Sequence, residues 1–210
     1  MKNIKQIQAL INNGEGEQLD FKKEISNSSR IAKTIVSFAN HKGGILLVGV
    51  NDDRTISGIK ADEERFMLEQ AATFFCKPII QLNINEYRFG KKTILEAVIP
   101  YGDAKPYYAK DEDGKWWVHI RVKDQSLLAS KVVVDVLRRQ GSKESTVIEY
   151  SSKEKALLDH LNTHHRITIK EYCRLINISR WRAIKIMVNL VSVGVIRNHN
   201  TEHTEFYTLS

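Results

Sequence analysis

Ser37-Phe38-Ala39-Asn40-His41-Lys42-Gly43-Gly44, followed by Ile45-Leu46-Leu47-Val48-Gly49-Val50 and the polar Asn51-Asp52-Asp53-Arg54, is the stretch that decides the fold. Just upstream, Ile31, Thr34, Ile35, Phe38 and Ala39 recur at spacings of three and four, which predicts a helix with one buried face. Asn40-His41-Lys42-Gly43 stops it, because glycine takes the left-handed conformation that ends many helices, and the Gly43-Gly44 pair permits a tight reversal. Residues 45–50 are then an almost unbroken apolar run with β-branched members, the pattern of a strand covered on both faces. Asn51 to Arg54 reads as a turn, where Asn and Asp are favoured for local hydrogen bonding.

Glycines between a helix and a strand invite comparison with phosphate loops. Those loops run from strand to helix N-terminus, where amides and dipole face the anion, and here the order is reversed. No GxxxxGK[ST] occurs in the chain, which argues against ATP binding or hydrolysis.

Working outward, Ile4, Ile7, Leu10 and Ile11 predict a short N-terminal helix ending at Asn12-Asn13-Gly14, with a candidate strand over residues 17–23. Phe66, Leu68, Ala72 and Phe75 predict a second helix over 62–76 that Pro78 breaks. Strands are expected over 79–89 and 93–99, joined by a turn at Gly90, and over 107–110 and 115–122, joined at Asp111-Glu112-Asp113-Gly114. The implied unit is α+β, a mixed sheet flanked by helices. An amphipathic segment over 132–139 precedes a polar stretch, 140–145, which is the expected linker.

Ser151 or Ser152 caps a helix over residues 151–164, and a shorter helix is expected over 167–175. After the turn Asn177-Ile178-Ser179, Ser179 caps a third helix over 180–193, with Ile184, Met187, Val188 and Val191 inward. Residues 195–197 and 206–209 make a terminal hairpin. Three helices and a hairpin in this order are those of a winged helix, whose third helix enters the major groove. The domains expected are therefore residues 1–139 and 146–210.

Composition sets bounds on function. Thirty-two Lys and Arg against 25 acids give a formal charge of +7, which favours an anionic partner. From Gly141 on, ten basic residues face seven acidic ones, a smaller excess than a dedicated DNA reader carries. Cys76 and Cys173 fit neither a disulfide framework nor a zinc site and are expected reduced and structural. The N-terminal segment lacks a secretory apolar core and no run reaches a membrane-spanning length, so a soluble, cytoplasmic protein is expected.

Glu15-x4-Asp20-Phe21-Lys22, Phe38-Ala39-Asn40-x2-Gly43-Gly44, Gly49-Val50-Asn51-Asp52 and Ile56-x-Gly58 resemble the AlbA-2 type domain, also called the Schlafen AlbA-2 or divergent AAA-4 domain. The resemblance extends through Pro100, Lys105-Pro106-Tyr107 and Val118-x-Ile120-Arg121-Val122, over about residues 5–130. It implies an α+β DNA-binding module, common in bacterial transcriptional regulators that also carry a winged helix. Some Schlafen members cleave RNA with three carboxylates. Here Asp20 stands where the family has Glu, Asn51 replaces the first acid after Gly-Val, and Val122-Lys123-Asp124 replaces a glycine-containing segment, departures that bear on any carboxylate chemistry.

The candidate site residues follow. Lys22, Lys42 and Arg121, with Lys23 beside them, would form a basic surface touching phosphates if their strands meet near the Gly43-Gly44 turn; the alternative is ordinary strand-edge lysines. Arg180, Trp181, Arg182 and Lys185 would read the major groove from the third helix, with His199 and Asn200 at the wing; the alternative is a solvated helix face, or Trp181 packed on the wing. Trp116-Trp117 and Tyr107-Tyr108 are candidate stacking platforms, one Trp of the pair being expected in the core because strand neighbours point to opposite faces. His164-His165 is expected to complement a helix dipole.

The function expected is nucleic-acid binding without catalysis: a homodimeric transcriptional regulator on DNA rather than RNA, with no cofactor and no membrane partner. One alternative is a Schlafen-like nuclease in which Glu15, Asp20 and Asp52 hold Mg²⁺ or Mn²⁺ and generate a nucleophilic water. The other is an adaptor whose winged helix only dimerises.

Overall fold

The computed structural model describes residues 2–142 and 150–210. The chain is α+β and divides into two compact units, Met1–Leu128 and Ala129–Ser210. Among the described residues no helix is long and apolar enough to cross a membrane.

The first unit opens with helix α1 (Ile4–Asn13), closed at its start by a capping box between Asn3 and Gln6. Strand β1 (Leu19–Lys22), helix α2 (Ser28–Asn40) and strand β2 (Gly44–Val48) follow. Strands β4 (Asn83–Phe89) and β5 (Lys92–Ile99) complete a mixed sheet of order β1-β2-β5-β4, in which only β1 and β2 are parallel. Ile7 and Ile11 of α1 pack on one face of this sheet with Leu19, Phe21, Leu47 and Ile94. Helices α2 and α3 (Ala61–Phe74) fill the other face, through Ile35, Val36, Phe38 and Leu68 on Leu46, Val48, Leu95 and Ala97. Strand β2 is buried from both sides at Leu46 to Val48, as its unbroken apolar run implies.

A second, antiparallel sheet of order β3-β6-β7-β8 comprises Cys76–Lys77, Tyr108–Lys110, Trp116–Val122 and Gln125–Leu128. It also packs on α2, so this helix has neighbours on opposite sides and is buried almost all the way round, its polar Thr34, Ser37 and Asn40 included. Sequence periodicity predicts a single buried face; the second sheet accounts for the rest. The strand expected over 79–89 begins only at Asn83, because Cys76–Lys77 has already joined the other sheet before Pro78, and the short β8 has no sequence signal of its own.

In the second unit, α4 (Lys131–Ser142), α5 (Ser152–His164), α6 (Ile169–Leu175) and α7 (Arg180–Ser192) precede a hairpin of β9 (Ile196–Asn200) and β10 (Glu205–Leu209). Ser151 and Thr168 close capping boxes with Glu154 and Glu171, and the Ser179 side chain accepts from the Arg182 amide. Leu157, Leu161, Tyr172, Ala183, Met187, Leu190 and Tyr207 form the core. Ile167, expected to open a helix, instead exchanges backbone hydrogen bonds with Tyr207 at 3.0 and 2.8 Å and adds an edge to the hairpin.

The sequence assigns helix α4 to the first domain. Its Val132 and Val136 are instead buried in the core of the second unit, so the boundary falls between Leu128 and Ala129 rather than in a linker at 140–145. Gln140 to Ser142 continue α4, and the rest of that expected linker lies outside the described residues.

Candidate nucleic-acid interface

Several motif residues of the first unit make internal contacts. Asn40, at the end of α2, donates to the carbonyls of Tyr107 and His119 at 2.9 Å each and accepts from the Tyr107 amide at 2.8 Å. One side chain thereby satisfies three buried backbone groups and clamps α2 to the second sheet. Gly43, at φ 72°, and Gly44 then turn the chain at close range; a Cβ on Gly44 would stand 2.5 Å from the Phe38 ring, so no larger residue fits.

Arg121, expected on a basic surface, is only 4% exposed. Its guanidinium lies 4.7 Å from the centroid of the Phe38 ring, donates to the carbonyls of Gly16 and Leu19, and pairs with Asp20 at 3.0 Å. This arginine ties the second sheet to the edge strand of the first. Buried, with its donors committed, it is an internal brace and not a phosphate contact.

Lys42 adjoins the Gly43-Gly44 turn, where Gln18 bonds its carbonyl at 3.3 Å, whereas Lys22 lies opposite Val48 at the far end of β2. Each has an acid of its own. Lys22 pairs with Asp20 at 2.9 Å, and Lys42 with Glu17 at 3.0 Å. Hydrogen bonds from Lys42 and His41 hold the Glu17 carboxyl below its ordinary pKa, the mark of a carboxylate already partnered. Lys23 is exposed. Lys105, from the same motif set, is buried beside the turn, donating to the His41 carbonyl at 3.1 Å with its ammonium 3.8 Å from the centroid of the Tyr101 ring. Burial pulls its pKa down to about 8.

Of the three carboxylates expected for a nuclease, two meet. Glu15 accepts from the Phe21 amide at 2.8 Å, and burial, together with a hydrogen bond shared with Asp20, raises its pKa. Asp52 is exposed in the turn after β2 and does not join them: among the described residues no group of three His, Cys, Asp or Glu side chains is placed to hold a metal ion. Asp20 has its two cations in Arg121 and Lys22, so its charge is neutralised within the fold.

On α7 the arrangement is different. Ala183, Ile186, Met187 and Leu190 face the core, while Arg180, Trp181, Arg182 and Lys185 lie along the first turns, all four exposed. Trp181 is 72% exposed, with the Lys185 ammonium 5.6 Å from the centroid of its ring, so it does not pack on the hairpin. Among the described residues no carboxylate forms an ion pair with Arg180, Arg182 or Lys185. His199 and Asn200 are engaged within the hairpin: His199 stacks on Phe206 at 4.9 Å and bonds Thr208 at 2.9 Å, and Asn200 donates to Asn198 at 2.6 Å. His164 stacks on His160 at 4.2 Å, and His165 is the left-handed cap of α5.

Sequence reasoning missed the clamp role of Asn40, whose only local signal is its place at a helix end. It also places one of Trp116 and Trp117 in the core, whereas both are partly exposed at the tip of the hairpin.

The mixed sheet with α2 buried between it and a second sheet defines an α+β domain of the AlbA type. Residues 15–130 match the family described as Schlafen, AlbA_2, over more than half of the chain, and the protein belongs to that family. Among solved structures, the DIP2311 protein from Corynebacterium diphtheriae is 16% identical with a TM-score of 0.48, the alignment covering 71% of this chain and 34% of that one. The N-terminal domain of a RecG-related protein from Nitrosomonas europaea is 22% identical with a TM-score of 0.43, covering 62% of this chain and 97% of that one. The chain thus spans about a third of the first of these proteins, and at such scores neither likeness informs on activity. Comparison with curated proteins gives no match.

Proposed function

We propose that this protein binds nucleic acid and acts as a cytoplasmic, DNA-binding transcriptional regulator, by occupancy and not by catalysis. Family membership supports the general reading. The observation that carries it is the set of Arg180, Trp181, Arg182 and Lys185 at the start of α7, whose cations have no ion-paired acid among the described residues.

The order α5, α6, α7 and hairpin supports reading the second unit as a winged helix, with α7 as the recognition helix. In that geometry Arg180 and Arg182 present forked donors to guanine edges or phosphates, and Lys185, over the Trp181 ring, adds a phosphate contact. Two copies on a two-fold-related site would supply the affinity that one modestly basic unit lacks. Lys22 and Lys42, already paired to acids, contribute less.

Fluorescence anisotropy of a labelled duplex at low salt tests the reading. Wild-type protein is expected to bind, and R180A/R182A to bind about tenfold or more weakly, at roughly 1–3 kcal/mol for each base contact removed. Both side chains lie off the core face of α7, so unfolding does not account for such a drop, and circular dichroism checks this. Absence of binding to any DNA or RNA ends the proposal, while unchanged affinity of the double variant removes α7 from it. Duplex RNA as competitor separates the two nucleic acids.

A further inference from the structure

The second sheet of the first unit has two unlike faces. Cys76 and Ala109 pair across β3 and β6 and belong to the core against α2, and Arg121 reaches Phe38 on that same side. The register places Lys77 opposite Tyr108, Tyr108 opposite Val118, and Lys110 opposite Trp116, so these residues share the face turned away from α2. There Trp116 is 39% exposed, with the Lys77 ammonium 6.0 Å and the Lys110 ammonium 5.9 Å from its ring centroid. Among the described residues neither lysine has a carboxylate within ion-pair distance.

Trp117 provides an internal contrast. Its indole nitrogen donates to Asp111 at 2.7 Å, which binds it to the hairpin turn. Trp116 is instead approached from its ring side by cations on two neighbouring strands. A partly exposed aromatic ring with two ammoniums over it about 6 Å from its centroid, and no carboxylate within ion-pair distance of either among the described residues, is complementary to a ligand that carries a π-face and a phosphate together. An unpaired nucleotide has that chemistry; a duplex does not, because its bases are stacked on one another.

We propose that the outer face of β3, β6 and β7 is a single-strand nucleic-acid site, in which Trp116 stacks on an unpaired base and Lys77 and Lys110 contact the adjoining phosphates. The site is independent of α7. It adds to a duplex-reading helix a surface for a strand whose bases have been separated.

Full-length protein is titrated into labelled oligo-dT and oligo-U of about ten nucleotides, a length within the range that one such surface covers. W116A is expected to weaken binding about tenfold, the cost of removing one stacked base, and W116F to stay within about threefold of wild type. K77A/K110A is expected to lower the salt slope by about 1.4, at about 0.7 per phosphate of a single strand. An abasic oligomer of equal length should bind wild type no better than oligo-dT binds W116A. The dT and U arms differ in the 2′-hydroxyl and in the C5 methyl of the base, and either order of affinity supports the site.

Unchanged affinity of W116A, or abasic and oligo-dT strands bound equally well, overturns the proposal. So does a dimer in sedimentation equilibrium that W116A converts to monomer, because the face would then be a protein interface. A W117F/W181F variant leaves Trp116 as the sole indole of the three in the chain; its fluorescence should be quenched by oligo-dT, and an unaltered emission would contradict the stacking directly.

Discussion

Two groups of cations in this molecule look alike in sequence and differ in what surrounds them. Lys22, Lys42 and Arg121 lie within the family match, yet Asp20 answers Lys22 and Arg121 while Glu17 answers Lys42, all at 2.9–3.0 Å. Arg180, Arg182 and Lys185 lie outside that match and have no such acid among the described residues. A charge already neutralised in the free protein gains little from a phosphate, because the internal pair must be broken first. An unpaired one is available. Within the family match these three cations are committed to internal pairs, whereas those of α7 have no such partner among the described residues.

The largest expected effect breaks the comparison at its buried end. R121A leaves Asp20 with one cation and removes the brace between the sheets, so urea unfolding should show a drop of about 3–5 kcal/mol, the usual result of deleting one partner of a buried pair. Its folded fraction should still bind duplex DNA like wild type; a stable R121A with weakened binding would return Arg121 to the interface. N40A comes next. Three backbone groups are left without their partner, and at about 1 kcal/mol for each bond the midpoint of urea unfolding should fall by the equivalent of about 3 kcal/mol.

A smaller effect is expected at Lys105, whose pKa of about 8 lies below the ordinary 10.5. Folding favours the neutral amine, so its contribution to stability is fully present above pH 10.5 and is lost as pH falls through about 8. The difference in urea midpoint between wild type and K105M, followed from about pH 7 to about pH 10.5, should therefore shift in favour of wild type as pH rises. A difference that does not move with pH would mean that the amine is solvated.

Much of this fold is legible locally. The helix through Phe38, the glycine turn and the apolar run of β2 are found where local pattern places them, although α2 is buried nearly all round and not on one face. What escapes is long-range pairing. Arg121 and Asp20 are 101 residues apart, and nothing near either predicts the other. The motif and the charge together place Arg121 on a basic surface, whereas the structure buries it. The same holds for α4, whose apolar stripe is plain in sequence but whose packing partner, α7, is known only once the second unit folds. Trp116 and Trp117 show the limit of strand alternation: at a hairpin tip both faces meet solvent.

The most direct test of the contrast is the salt dependence of duplex binding, measured for wild type, R180A/R182A/K185A and K22A/K42A under one set of conditions. Every cation that no longer reaches a phosphate should lower the slope of log K against log salt by about 0.9, so the α7 variant should fall by about 2 to 3 while K22A/K42A stays near wild type. The reverse order, with the slope carried by Lys22 and Lys42 and left intact by the α7 variant, would contradict this division between the two units.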